Sequence, residues 1–599
     1  MPVEAAFRRF GVVRIIRSFL HLVRIPRRDL VTDAQPKDVP ISNRETTQYG
    51  GYVLVTALCL VLYLAGNGRI DIWDRDEAWY AGTAREMLLS GDFVVPRFNG
   101  EPRYRKPVLI YWLMAASYSV FGDNEFGARF CSGVAGTVTC LITYRLGTRM
   151  FGRGVGLAAA LMLAVAPIMV IESKLATTDA VLTATLVGAL ACLWELHAAR
   201  DSWRWPLAFW SLIGVAVLTK GPFGPAFIAI AVLAWLFFSR QWSLLRRLRW
   251  LPGIAIAAAV CVPWGVAIYF ATGGEFYRVA VGEEALGHSL SPMNNHPGFL
   301  GFHVATALAG LFPWTLALPL AFAGLRREAR EGGPNTFLLG WVLGPIVMLE
   351  LMRTKLPQYY LAAYPAWSII LSRGVVEAYA AGGRLIQSRL GLLGLAALGS
   401  IGVGSAAALA TIAIAVRSAP LQWPLCALAG VLAAGTAVGI VIFWKRRDLT
   451  AWSSIVATTW LVELIATAWL LPSANPLRVA HSAATVLRTK SAGVAPVVLC
   501  GYREPSLVYY LHEPVPMFSS PKQLGPFLDE HRSVFTVLRE SDLKNFDKAG
   551  DVAVQLCERI DPPRVCGLPL DTAFVVRLSV SAAADSSALK IDGERFPPR

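Results

Sequence analysis

The chain has 599 residues, 55% hydrophobic and 16% charged, with a mean hydropathy of +0.49 and a formal net charge of +15. Soluble domains carry about a quarter charged residues, and recurring apolar runs of about 20 residues exclude a string of soluble domains in favour of a polytopic α-helical membrane protein. Most arginine clusters fall in short connections between those runs, so the basic balance reads as cytoplasmic loops and contact with membrane lipids, with no nucleic acid as partner.

Residues 1–48 interleave Arg8, Arg9, Arg14, Arg17, Arg24, Arg27 and Arg28 with apolar residues, the pattern of a basic amphipathic segment on the cytoplasmic leaflet. No compact apolar core with a small-residue cleavage site follows, so the stretch is not read as a cleaved signal. The first span covers residues 51–66 and runs outward. The loop 67–106 is then extracytoplasmic, and within it Asp76 to Leu89 reads as a helix closed by Gly91-Asp92. Pro107 to Phe121 is apolar but only about 15 residues long, too short for a comfortable crossing, and is placed along the interface. A crossing there would put Arg145, Arg149 and Arg153 outside, against the charge rule.

Spans at 128–148, 154–172, 180–198, 206–219, 223–238, 251–270, 300–323, 336–352, 361–378, 391–416, 424–444 and 451–471 then alternate in direction. The total is about 13 spans. Residues 49–471 form the membrane domain, with a catalytic outer loop at 67–122. The tail, 472–599, changes character: strands at Val494–Cys500, Ser533–Leu538 and Phe574–Val580 with a helix at Glu504–Leu511 indicate a small extracytoplasmic α/β domain. Six of the nine cysteines lie in apolar runs, while Cys557 and Cys566 stand close together in the tail, where an oxidising compartment would allow them to pair. No phosphate-cradling glycine motif or nucleotide fingerprint occurs, so an outward-facing transferase of this kind would need a lipid-linked donor.

Asp74, Arg75, Asp76 and Glu77 form the densest charged cluster. Glycosyl transfer needs a carboxylate to orient or deprotonate the acceptor and cations to neutralise a leaving phosphate. The same acids also suit the first turn of a helix, and spacing does not decide between the two. Arg85-Glu86 on that helix reads as a surface pair. Arg105-Lys106 at the start of the interfacial helix reads from spacing as headgroup anchoring ahead of phosphate capture. Asp179 faces the same compartment as Asp76, and Lys220 at another outer turn reads as a snorkelling lysine. Arg353-Thr354-Lys355, with Tyr359 close behind, adds cations outside against the topological rule, which an anionic ligand would explain. Glu275, Arg278, Glu283, Glu284, His288 and His296 lack regular ligand spacing and read as a solvated loop before a metal site.

In order, the chain carries Asp76-Glu77-Ala78-Trp79-Tyr80, Ala84-Arg85-Glu86-Met87-Leu88, Ser90-Gly91-Asp92-Phe93, Lys106-Pro107 with Tyr111-Trp112, Ala128-Arg129, Ala176-Thr177-Thr178-Asp179, Thr219-Lys220-Gly221-Pro222 and Lys355-Leu356-Pro357-Gln358-Tyr359. This series resembles the bacterial aminoarabinose transferases that modify lipid A (ArnT-like), relatives of the protein O-mannosyltransferases among the GT-C glycosyltransferases. The resemblance is close over residues 51–375 and one of layout beyond. It implies a GT-C fold in a bacterial inner (plasma) membrane, an active site facing the periplasm, and transfer of a sugar (aminoarabinose, mannose or similar) from a polyprenyl-phosphate carrier. The acceptor would be an anionic lipid such as lipid A, a glycan or a protein.

On that resemblance, Asp76 with Glu77 beside it is expected to be catalytic. Tyr80, Arg105, Lys106, Asp179, Glu284, Lys355 and Tyr359 are expected to bind substrate, with Lys106 and Tyr359 on the carrier phosphate. The family places a Glu where Arg105 stands and a Glu-His pair where Glu283-Glu284 stand, residues associated there with a metal ion. The exchanged charges lead to the expectation that Arg105 pairs with Glu284 in place of the ion, so no cofactor is assigned. A transporter, flippase or receptor of lipid-linked sugars is the alternative; ionisable residues gathered at one face, with few at mid-membrane, disfavour it.

Overall fold

The computed structural model describes residues 41–580 apart from 74–75, 199–201, 287–297, 328–332, 381–388, 417, 446–447, 540–541, 543–551 and 562–571. The basic segment up to residue 40, Asp74, Arg75, His288, His296, Cys566 and the side chains of Glu283 and Glu284 lie outside the described residues.

Helices dominate. In chain order they include α1 (Ile41–Leu64), α2 (Asp76–Ser90), α3 (Leu109–Phe121), α4 (Glu125–Phe151), α5 (Arg153–Ala164), α6 (Pro167–Lys174), α7 (Asp179–Ala198), α8 (Arg204–Lys220), α9 (Phe223–Ser239), α10 (Trp250–Thr272), α11 (Phe302–Gly310), α12 (Pro334–Leu351), α13 (Tyr364–Ala380), α14 (Arg389–Ala415), α15 (Ala419–Trp444) and α16 (Asp448–Ile465). Among the described residues eight helices are long and apolar enough to cross a membrane, or up to ten if each of two bent pairs counts as one span.

Those pairs correct the expectation of straight spans at 154–172 and 300–323. Between α5 and α6 the axis turns by 61°, and between α11 and the segment Trp314–Phe322 by 102°. Proline is the cause in sequence. Pro167 cannot extend a preceding helix and forces Ala166 into extended backbone (φ −73°, ψ 124°), so a new helix starts there. Pro313 stands at the second break.

The bundle is held by close helix crossings as well as by large side chains. A Cβ at Gly340 would come within 2.5 Å of the Trp235 backbone, and one at Gly344 within 2.6 Å of the Ile230 carbonyl. Glycines four apart on α12 therefore let α9 approach backbone to backbone.

The outer loop is positioned by one buried cation. Arg129 on α4 is 1% exposed. Its Nε and Nη2 donate to the two carboxylate oxygens of Glu77 at 2.8 Å each, Nη1 to the Asn67 and Ile70 carbonyls at 2.9 and 2.5 Å, and Nη2 also to the Asp71 carbonyl at 3.0 Å. All five N–H donors of the guanidinium are thereby used. Glu77 also accepts the Trp73 N–H at 2.9 Å and the Ala176 N–H at 2.7 Å. Two charges removed from water are tolerable only with such complete pairing.

The helix α2 begins one residue before Glu77 and ends at Ser90, where Gly91 takes the left-handed conformation (φ +71°). Arg85 and Glu86 are no surface pair. Arg85 is 5% exposed, bonded to Asp123 and the Tyr509 carbonyl, while Glu86 caps the turn at Asn99 and Gly100. Residues i and i+1 diverge by about 100° on a helix, so neighbours in sequence serve different partners.

Beyond α16 come α17 (Val479–Ser491) and α18 (Pro505–Leu511), a helix Pro521–His531, and an antiparallel sheet of Ser533–Arg539, Ala573–Val580 and Val552–Ile560, with Ala573–Val580 in the centre. This region docks on the outer loop. Asn475 bonds the Asp71 N–H and the Arg69 carbonyl, Arg478 the Asp71 carbonyl, and the Tyr510 hydroxyl accepts the Ile72 N–H at 2.7 Å. His481 stacks on Tyr510 at 4.3 Å and bonds the Asp71 carboxylate at 3.0 Å.

Removing one member of a buried pair costs about 3–5 kcal/mol. Arg129→Met and Glu77→Gln are therefore expected to lower the thermal midpoint in detergent strongly, and a Glu77→Gln protein melting like wild type contradicts the assignment. Separately, the Asp71 hydrogen bond raises the His481 pKa above 6.5. A raised folded-state pKa adds stability that is complete below the ordinary value and lost as pH rises through the raised one. Hydrogen exchange in Val479–Ser491 should accordingly quicken relative to the intrinsic rate as pH rises past the ordinary histidine range, and His481→Gln should remove that difference; equal protection in both variants contradicts it.

Candidate active site

Two neighbourhoods meet beside α2. The first is a cavity of about 1140 Å³ walled by Pro222, Phe223, Val262, Trp264, Tyr269, Phe270, Phe276 and Met352 among others. Its only charged lining residues, among the described residues, are Arg105, Lys106 and Lys220. An apolar chamber whose charges are all positive suits a long hydrocarbon bearing an anionic head. Tyr359 lines it too, its ring centre 4.8 Å from the Lys220 Nζ. Lys220 does not snorkel: it forms an ion pair with Asp179 at the start of α7, and both side chains are about nine-tenths buried.

The second neighbourhood is built on the first turn of α2, around Asp76 and Tyr80. Asp76 is exposed, and Tyr80 one turn on is buried, its ring 5.9 Å from Tyr111. Burial pushes the Tyr80 phenol well above its ordinary pKa, against the pull of Arg103, while Asp76 and Asp179 add to the rise. Arg103 is itself 8% exposed, donates from Nη1 to the Tyr111 hydroxyl at 2.6 Å, and lies 5.1 Å from the centres of both the Trp79 and Tyr80 rings. Burial opposes its charge, but Tyr111, Tyr80 and Asp76 outweigh that cost and raise its pKa. Glu172, at the end of α6, is 5% exposed, accepts the Thr177 hydroxyl at 3.4 Å and lies within electrostatic reach of Asp179, Lys220 and Asp76.

Of the residues expected from sequence, Arg105, Lys106 and Tyr359 come together on the cavity, with Asp179 joined through Lys220. Asp76 and Tyr80 sit beside them, outside its lining. Glu77, expected to be catalytic, has its carboxylate held by Arg129 and by two backbone amides. Lys355, expected to bind substrate, stands apart from the cavity. It is 6% exposed, bonded to Glu350 and to the Phe299 carbonyl at 3.0 Å, and is absent from the cavity lining. Glu350 also accepts the Gly301 and His303 N–H groups, so this cluster fastens α11 to α12. Sequence reasoning missed Arg103 and Glu172. Their partners lie on other elements, and the only local signal at Arg103 was its place in a basic run, Arg103-Tyr104-Arg105-Lys106.

The described donor set does not fit a divalent cation. Arg105 brings positive charge to the cavity, and no three His, Cys, Asp or Glu side chains converge among the described residues.

Residues 105–266 match the family described as dolichyl-phosphate-mannose-protein mannosyltransferase. The chain is 30% identical over 429 residues to the undecaprenyl phosphate-α-4-amino-4-deoxy-L-arabinose arabinosyl transferase of Pseudomonas aeruginosa, across 70% of this chain and 75% of that protein. It is 27% identical to the enzyme of the same name from Erwinia tasmaniensis, across 74% and 78%. The crystal structure of ArnT from Cupriavidus metallidurans bound to undecaprenyl phosphate superposes with a TM-score of 0.73 at 20% identity, covering 89% of this chain and 99% of that one. The fold is therefore a helical, membrane-type GT-C fold.

If Arg105 takes the place of a metal, purified protein should contain zinc well below one ion per chain, and a chelator should leave its activity unchanged. Stoichiometric zinc contradicts this.

Proposed function

The chain belongs to the bacterial undecaprenyl phosphate-aminoarabinose arabinosyl transferases, and from that premise we propose that it moves a sugar from a polyprenyl-phosphate carrier to an acceptor at the outer face of the inner membrane. It is a glycosyltransferase of a multi-pass membrane protein family, using a polyprenyl-phosphate-linked donor. The observation that carries the reading to particular residues is the apolar cavity whose charged lining is entirely cationic.

The isoprenoid occupies the apolar chamber, and Lys106 and Arg105 meet its phosphate with Tyr359 alongside. The anomeric carbon then faces α2. The acceptor oxygen attacks that carbon, the bond to the phosphate oxygen breaks, and the carrier phosphate leaves with its charge balanced by Lys106 and Arg105. Asp76 receives the proton of a hydroxyl acceptor; an acceptor that is already an ionised phosphate needs no base, and Asp76 then orients it. Asp179 holds Lys220 against the cavity wall. The acceptor is an anionic lipid of the lipid A class, another glycan or a protein.

The membrane arrangement belongs to the same proposal. Helices α8, α9 and α13, at 17 residues each, fall just short of the length of an ordinary crossing. Counted as spans in a thin or pinched bilayer, these three join the ten others to make thirteen. The segment α3, with 13 residues, lies along the interface, and the α/β region after residue 472 sits outside with the active centre.

In liposomes with radiolabelled polyprenyl-phosphate sugar and lipid extract of the host, wild type is expected to pass label to a new product. Lys106→Ala should lower kcat by about 10²–10³-fold and Asp76→Asn by about 10²–10⁴-fold. Transfer unaffected by Asp76→Asn contradicts the assignment.

A further inference from the structure

Residues 202–274 contain no aspartate or glutamate, and five of their six cations, Arg204, Arg240, Arg246, Arg247 and Arg249, stand at the ends of α8, α9 and α10 that lie away from the cavity. The sixth is Lys220, which lines it. Helices α8 and α9, of 17 residues each, put those ends about 25 Å from Lys220. The connection from α9 to α10 runs across them and contains the short helix Ser243–Arg247.

Leu244 and Leu248, four apart, are buried in the bundle core, while Trp242, Arg246 and Trp250 are exposed. The Trp250 indole donates to the Leu245 carbonyl at 2.7 Å, and its ring lies 5.2 Å from Trp210, whose indole donates to the Leu248 carbonyl at 2.8 Å. The Arg249 guanidinium stacks 3.4 Å from the centre of the half-exposed Trp203 ring, and that of Arg204 lies 4.6 Å from Trp205. Arg240 and Arg249, which bound the connection, both take the left-handed backbone conformation (φ +55° and +51°), where glycine or asparagine is the ordinary occupant. Among the described residues Arg204, Arg240, Arg246 and Arg249 form no ion pair. Two acids near this end of the bundle are already taken, Glu195 by Arg145 and Arg149 at 3.1 Å each and Glu377 by Arg373. Arg200 and Asp201 lie outside the described residues and cancel in formal charge.

We propose that Arg204, Arg246 and Arg249, with Trp203, Trp242 and Trp250, bind an anionic phospholipid in the leaflet opposite the cavity. The guanidinium groups take the phosphate oxygens, and the indoles lie at headgroup level. Topological charge alone needs only basic residues near the membrane. Here a guanidinium is held flat on an indole, which leaves its N–H edge for a second partner. A bilayer lipid fits better than a free phosphate, because apolar side chains continue along the same helices. Leu207 on α8 and Leu251 and Ile254 on α10 are exposed, so the surface offers an acyl chain its wall directly beside the arginines.

Thermal midpoints of the full chain in a neutral detergent, titrated with phosphatidylglycerol, phosphatidylcholine or inorganic phosphate, test it. Phosphatidylglycerol should raise the midpoint saturably, and the other two should not. Arg246→Gln and Arg249→Gln should each raise the half-saturating phosphatidylglycerol concentration about fivefold, and together about 25-fold. Arg246→Lys should stay close to wild type, and Lys106→Ala should leave the titration unchanged. If Arg249→Gln does not fold, Arg246→Gln, at an exposed position, decides alone. A response lost in Lys106→Ala and kept in Arg246→Gln puts the lipid in the cavity and overturns the proposal. An equal response to phosphatidylcholine, or to phosphate alone, overturns it as well. The readout needs no transfer activity, so its failure leaves the functional reading standing.

Discussion

A single guanidinium holds residues 67–77 of this molecule in register. Arg129 rises from a helix of the bundle and gathers the carbonyls of residues 67, 70 and 71 together with the carboxylate of Glu77. Glu77 in turn takes the amide of Ala176, just before Asp179. The loop that leaves the membrane, the first turn of α2 and the entry to α7 are therefore fixed to one buried point. Burial of two charges is expensive, and full satisfaction of every donor makes it tolerable. Given that anchor, the helix period leaves Asp76 on the free face.

The anchor also fixes what stands beside the cavity. Helix α2 cannot roll without breaking the Arg129 pair, so Asp76, Tyr80 and Arg103 keep one orientation relative to the Lys220–Asp179 pair. The cavity beside them is apolar except for cations and a few hydroxyls, and its floor is made by α8, α9 and α10. Apolar wall and cations share one chamber, and among the described residues no carboxylate lines it.

Much of this was legible in the sequence, for physical reasons that can be named. The helix at Asp76 declares itself by acids in its first turn and by Gly91 after its last. The run Arg105-Lys106-Pro107 marks the start of a helix, and the cavity confirms both cations as its lining. Pairings across long separations were not legible. Glu77 and Arg129 are 52 residues apart, and Lys220 and Asp179 are 41 apart. Nothing local distinguishes Glu77 from Asp76, so both carboxylates were expected to be catalytic, whereas the structure pairs Glu77 with Arg129. Lys355 carried the same ambiguity, since a cation on the outer side serves a phosphate or a neighbouring Glu350 equally well. The prolines at 167 and 313 were readable as helix breakers, but hydropathy averages over them, which is why two bent segments passed as straight spans.

The most direct test of the account is a cryo-EM structure of the protein in nanodiscs with polyprenyl monophosphate. The account predicts density for the phosphate between Arg105, Lys106 and Tyr359, with the isoprenoid running along Val262, Phe270 and Met352 and Asp76 facing the phosphate end. Lipid bound elsewhere, with the cavity filled by side chains and Asp76 turned away, would contradict it.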